Sequence, residues 1–256
     1  MPTSPHPHLF ILTGASRGMG LAMAEQLLQP TNALLCLSRG VSPALQDKAD
    51  GAGVTLIQWP IDLTNGIAAS HKLAEWLAGR GQDDFASASL INNAGMIPAI
   101  VPLRDADATD LANALRLGLE APMQLTAAFL SATRAWQCPR KVLNISSGLG
   151  RRPMASQAAY CAAKAGMDHF TRCLALDEAR EANGAKVCAL APGVIDTDMQ
   201  RHLRGADAAT FPDRGNFENL QSQGQLASPE EAARRVLAWL QRPDFGQEPV
   251  ADVRDA

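Results

Sequence analysis

His8-Leu9-Phe10-Ile11-Leu12-Thr13-Gly14-Ala15-Ser16-Arg17-Gly18-Met19-Gly20 decides the fold. An apolar run of strand type enters a glycine-rich turn and leaves it as a helical pattern. The glycines let the backbone turn tightly and approach an anion, and the helix that follows aims free N–H groups and its positive dipole end at that anion. Gly14, Ser16, Arg17, Gly18, Met19 and Gly20 are thus candidates for binding the diphosphate of a dinucleotide. The spacing is Gly-x-x-x-Gly-x-Gly. An ordinary strand-to-helix turn is the competing reading.

Further apolar runs follow at Ala33–Leu37, Val54–Gln58, Ser89–Ile91, Lys141–Ile145, Lys186–Leu190 and Pro249–Val253. Between them lie helical patterns at Gly18–Gln29, Ile67–Ala78, Asp107–Trp136, Gln157–Asn183 and Pro229–Gln241. Strand-helix alternation predicts an α/β fold, a single Rossmann-type domain over residues 1–256 with a doubly wound parallel sheet of about seven strands. Near-continuous apolar strands fit a sheet with helices on both faces. Residues 196–227 lack periodicity and read as a substrate-binding lid. Apolar residues are 46%, charged residues 19% and the net charge −3, which favours a packed core and offers nucleic acid or an anionic membrane no basic run. Five scattered cysteines suit a reducing compartment, so a cytoplasmic location is expected. His71 and His202 have no ligand-like partners, so no metal is expected; His6-Pro7-His8 could bind a metal weakly but reads as a loose terminus.

The second strand ends at Ser38-Arg39 without an acidic residue to meet a ribose hydroxyl. Arg39 and Arg17 could converge on a 2′-phosphate, which favours NADP(H) over NAD; two solvated arginines remain the alternative. Asp62, followed by Leu63, could meet the adenine or simply cap a helix. Tyr160, the one tyrosine, stands four residues before Lys164, on the same helix face. An ammonium there would draw the phenol's pKa down and make it a proton donor near neutral pH.

Together these motifs resemble the short-chain dehydrogenase/reductase family. The resemblance rests on the glycine turn, Asn92-Asn93-Ala94-Gly95, Asn144-Ile145-Ser146-Ser147, Tyr160-x-x-x-Lys164, and Pro192-Gly193 with Thr197. Asp196–Gln200 and Val250–Val253 are similar to sepiapterin reductases and bacterial benzil reductases. The resemblance implies Ser147, Tyr160 and Lys164 as catalytic residues, with Ser146 the competitor of Ser147. Asn92, Ala94 and Gly95 would line the adenosine side, and Pro192, Gly193, Ile195 and Thr197 the nicotinamide side. Tyr160 and Lys164 would also touch the cofactor. Ser147, Leu149, Met154, Tyr160 and Met199 would border the substrate, and Asp252 or Asp255 could reach it from the tail.

The family's usual asparagine on the long central helix is Gly118 here; a water could take the space it vacates. The expected activity is NADPH-dependent reduction of a ketone or dicarbonyl, in a homodimer or homotetramer. The alternatives are an NAD-linked alcohol dehydrogenase and a nucleotide-binding regulator without turnover.

Overall fold

The computed structural model describes residues 6–255. Its strands are β1 (His8–Thr13), β2 (Asn32–Ser38), β3 (Thr55–Pro60), β4 (Ser87–Asn92), β5 (Arg140–Ile145), β6 (Lys186–Ala191) and β7 (Val250–Asp252). All pair in parallel, in the order β3-β2-β1-β4-β5-β6-β7. The order reverses between β1 and β4, which opens a crevice at their C-terminal ends.

Both faces of the sheet are apolar because successive side chains point to opposite sides. Leu12, Ile91 and Leu190 pack with Met23 of α1 (Gly18–Gln26), Leu45 of α2 (Pro43–Ala52) and Val236 of α9 (Pro229–Gln241). On the other face Ile11, Leu90 and Val142 pack with Leu73 of α3 (Gly66–Ala78), Phe129 of α5 (Ala121–Ala132) and Leu174 of α6 (Ala158–Glu178). The expected doubly wound sheet is present.

Helix α2 had no counterpart in the periodicity. Its start is local chemistry: the Ser42 side chain accepts from Leu45 N, Pro43 opens the first turn, and Gly53 ends it at φ 64°. The segment 107–136, expected as one helix, is divided. It runs as α4 (Ala108–Leu115), a π turn (Arg116–Glu120) and α5. Pro122 explains the break: it has no N–H for the carbonyl of Gly118. The Ala121 N–H meanwhile reaches back to Arg116 O, skipping Leu117.

The 196–227 stretch is more ordered than expected. It carries α7 (Asp198–Arg204) and α8 (Arg214–Ser222). Leu203, Phe211 and Phe217 form a small core of their own with Ile100, against which Ile97 and Met154 pack. Its base is pinned where Asp196 N donates to Ala227 O (2.9 Å) and Ala227 N to Val194 O (3.0 Å).

Candidate active site

Gly14 and Gly18 hold φ of 72° and 54°, open to glycine at little strain. A Cβ on Gly14 would stand 2.9 Å from Ala94 Cα, and one on Gly20 only 2.1 Å from Gly14 O. The turn therefore lies directly on the loop after β4. Asn93 locks the two together, donating from Nδ2 to Thr13 O (3.0 Å) while its N–H donates to Thr13 Oγ1 (2.9 Å). Arg17 precedes α1 without capping it, so no side chain there takes the first helical N–H groups. A bare helix start behind a turn with no room for side chains fits a diphosphate. Arg39 is exposed and lies near Asp62, while exposed Arg17 sits 3.5 Å from Asp198 at the start of α7.

Several expected cofactor contacts lose their side chains to the fold. Met19 and Leu63 are buried in the two sheet cores, so their backbones alone remain for a ligand. Asn92 is buried too: its Nδ2 donates to Asn144 Oδ1 (2.8 Å) and Thr126 Oγ1 (3.1 Å), and Asn144 donates on to Thr171. The amide serves a polar ladder between β4, β5, α5 and α6. Ser38 donates to Gly40 O (2.8 Å), and Asp62 accepts from the N–H and hydroxyl of Thr64. Those bonds hold the Asp62 carboxyl below its usual range. Ile195 is half-buried against the β6 side of the core. Thr197 lies across from the glycine turn, its methyl 3.7 Å from where a Gly18 Cβ would be. Gly193 adopts φ 81° beside Val253.

On α6, Tyr160 and Lys164 are both buried. Lys164 Nζ donates to Ile145 O at 2.7 Å and lies 5.8 Å from the centre of the Tyr160 ring. Gly95 borders this ammonium, since a Cβ there would be 4.0 Å from Nζ. The two serines after β5 separate cleanly. Ser146 donates to Asp168 of α6, which leaves Ser147 as the hydroxyl on Tyr160. Ser147 Oγ accepts from Leu149 N (3.2 Å), freeing its own proton for donation.

Where Lys164 was expected to draw the Tyr160 phenol below its ordinary pKa, burial acts the other way. Burial raises it, because a phenolate cut off from water is disfavoured; the hydrogen bond from Ser147 opposes the rise. Lys164 moves the other way. Burial lowers it to about 8, with the negative charge of Asp168 resisting.

The short chain dehydrogenase family profile matches residues 8–208. The chain belongs to the short-chain dehydrogenase/reductase family. It is 34% identical to a benzil reductase ((S)-benzoin forming) from Bacillus cereus over 237 residues, 93% of this chain and 95% of the relative. It is 30% identical to a sepiapterin reductase of Rattus norvegicus, covering 92% of each chain. A crystal structure of a short-chain dehydrogenase/reductase from Burkholderia vietnamiensis is 35% identical, with a TM-score of 0.63 over 98% of this chain and 99% of that one. The protein is accordingly an oxidoreductase of a family that works with nicotinamide cofactors.

In this short-chain dehydrogenase/reductase the central-helix asparagine is replaced by buried Gly118, inside the π turn. A Cβ there would come 3.1 Å from the Ala163 Cβ. The room expected for a water is therefore narrowed by α6 itself. Leu149, Met154 and Met199 are half-buried on the loop after β5 and on α7. Asp252 is committed elsewhere: Arg254 donates to it from Nε (2.8 Å), Nη2 (2.6 Å) and its backbone N–H (3.0 Å). Asp168 and Arg151 escaped the sequence reading. The signal was available, since Asp168 stands four residues past Lys164. Among the described residues no metal-ligand cluster occurs and no helix is long and apolar enough to cross a membrane. His8 is not loose: it opens β1 and bonds Ser87 Oγ (2.8 Å).

Proposed function

We propose that the protein reduces a ketone or dicarbonyl compound to an alcohol, with NADPH as hydride source. The observation that carries this reading is the meeting of buried Tyr160 with Lys164, whose Nζ lies 5.8 Å from the centre of its ring, and with the Ser147 hydroxyl. Reduction needs the phenol as an acid; alcohol oxidation needs it as a base. A phenol that burial keeps protonated is available for the first. Tyr160 donates its proton to the substrate oxygen, and Ser147 donates a hydrogen bond to the same oxygen as charge gathers there. When bound, the reduced nicotinamide supplies hydride to the carbonyl carbon. Lys164 orients the ribose hydroxyls and lends positive charge to the site.

The absence of an acid at Ser38-Arg39 and the exposed Arg17 and Arg39 support NADP(H). The benzil reductase relatives support a dicarbonyl, as do half-buried Leu149, Met154 and Met199. With Asp252 paired to Arg254, an uncharged apolar substrate suits the site better than one anchored by an amine. Exposed Leu115, Met123 and Leu176 support a homodimer or homotetramer, and five free cysteines suit the cytoplasm.

The test is purified protein with NADPH and a panel of diketones including benzil, followed by loss of reduced-cofactor absorbance. Tyr160→Phe should bind NADPH and lose about 10²- to 10⁴-fold in turnover. Undiminished turnover would remove Tyr160 from the mechanism.

A further inference from the structure

Tyr160, Lys164 and Asp168 follow at intervals of four along α6 and share one face. Asp168 is buried, at 2% exposure, so its carboxylate needs partners. Both come from the loop that carries Ser147. Ser146 donates to Oδ1, and Arg151 Nε donates to Oδ2 at 3.2 Å. Between them Gly150 lies against the helix: a Cβ there would be 2.9 Å from Lys164 O and 3.0 Å from Asp168 Oδ2. Arg151 also donates to Ala251 O (2.9 Å) in β7. Ser147 is thus flanked on both sides by residues tied to one carboxylate on the helix of Tyr160 and Lys164.

We infer that Asp168 is a positioning residue: it fixes the Ser147 loop against α6 through Ser146 and Arg151, one helical turn beyond Lys164 on the face they share. The inference rests on the reductase reading and deepens it. Burial works against the ammonium, and Asp168 is the opposing influence. The titratable groups around the pair are few. Tyr160 shares α6, and Arg151 faces Asp168 from the loop after β5. Cys188 of β6, its thiol pushed up to about 12 chiefly by burial, also senses Asp168 and, in the opposite direction, Arg151. Asp252, at the end of β7, senses Arg151 and is paired with Arg254.

The decisive variant is Asp168→Asn in the full chain, which keeps an acceptor for Ser146 and removes the charge. Lys164 is followed by NMR titration of lysine labelled at Cε, assigned with Lys164→Arg. In Asp168→Asn, Lys164 should titrate below its wild-type position, and the alkaline limb of kcat for diketone reduction should move the same way. Loss of alignment should lower kcat on the order of 10²-fold while KM and NADPH binding change little. Ser146→Ala, which keeps the charge, should lower kcat and leave the Lys164 titration in place. An unmoved Lys164 titration in Asp168→Asn, or wild-type kcat, overturns the inference. Should Asp168→Asn fail to fold, Ser146→Ala with Arg151→Gln removes both ties and leaves the carboxylate. Retained kcat in that double variant overturns the inference equally. Wild-type protein inert toward every diketone would instead sink the reductase reading, and the Lys164 titration would still decide the role of the Asp168 charge.

Discussion

Replacing Lys164 by methionine should make the protein more stable near neutral pH. Burial draws this lysine from 10.5 to about 8, so the fold holds its proton less firmly than the unfolded chain does. That difference corresponds to about 3 kcal/mol against the folded state wherever both forms are protonated. Methionine matches the lysine stem in bulk and carries no charge. It leaves Ile145 O without the donor at 2.7 Å, a loss of about 1 kcal/mol. The net gain is about 2 kcal/mol, or about 4–8 °C in Tm for a chain of this size. Denaturant and thermal unfolding of both proteins across alkaline pH provide the assay. From about 8 to 10.5 the unfolded wild type binds a proton that its folded form has released, so wild-type stability rises and the gap closes. A variant less stable than wild type near neutrality, or a gap indifferent to pH, would refute the reasoning.

Three further substitutions probe other parts of the cleft. Arg39→Asp should shift cofactor preference toward NADH by about 10- to 100-fold, the value of one charge-assisted contact; an unmoved ratio of kcat/KM for the two cofactors would rule out phosphate recognition by Arg39. Gly20→Ala places a methyl 2.1 Å from Gly14 O, so the turn must shift and NADPH affinity, read by fluorescence titration, should collapse. Wild-type affinity would show that the turn is not the binding loop. Gly118→Asn should destabilise by about 1–3 kcal/mol through overpacking on Ala163. Adding Ala163→Gly should restore the melting temperature, and no recovery would locate the strain elsewhere.

The sheet was legible in the sequence because every strand is buried on both faces, and apolar runs such as Ala33–Leu37 carry that signal undiluted. Helix α2 was not, since Pro43–Ala52 buries only Leu45 and Ala49 and is specified by its caps instead. The break in the central helix was written in Pro122, whose missing N–H outweighs a periodicity that runs through it. In the candidate site, the residues that the fold brings together around Tyr160 were readable from motif and spacing. Their environments were not. Ser146 and Ser147 look alike as residues; the family spacing favours Ser147, and the position of Asp168 shows why, taking Ser146 to the helix and leaving Ser147 to Tyr160. Asn92 and Leu63 sit in or beside cofactor motifs, yet which way a strand-end side chain turns depends on tertiary packing.

The protonation states of the candidate site follow from how one apolar enclosure acts on two groups of opposite charge type. Removing water penalises whichever form is ionised, so the same burial raises Tyr160 and lowers Lys164. A phenol and an ammonium in water differ little in pKa. Here they are driven apart, with the phenol the more tenacious proton holder. The acid that a carbonyl needs therefore persists through the whole neutral range. What fails first on the alkaline side is the cation, at about 8. Asp168 counts at that boundary, being the negative charge that resists the loss of the cation. In the proposed reaction Tyr160 supplies the proton, Lys164 sets how far into alkali the site remains charged, and Asp168, through Ser146 and Arg151, keeps the Ser147 loop aligned.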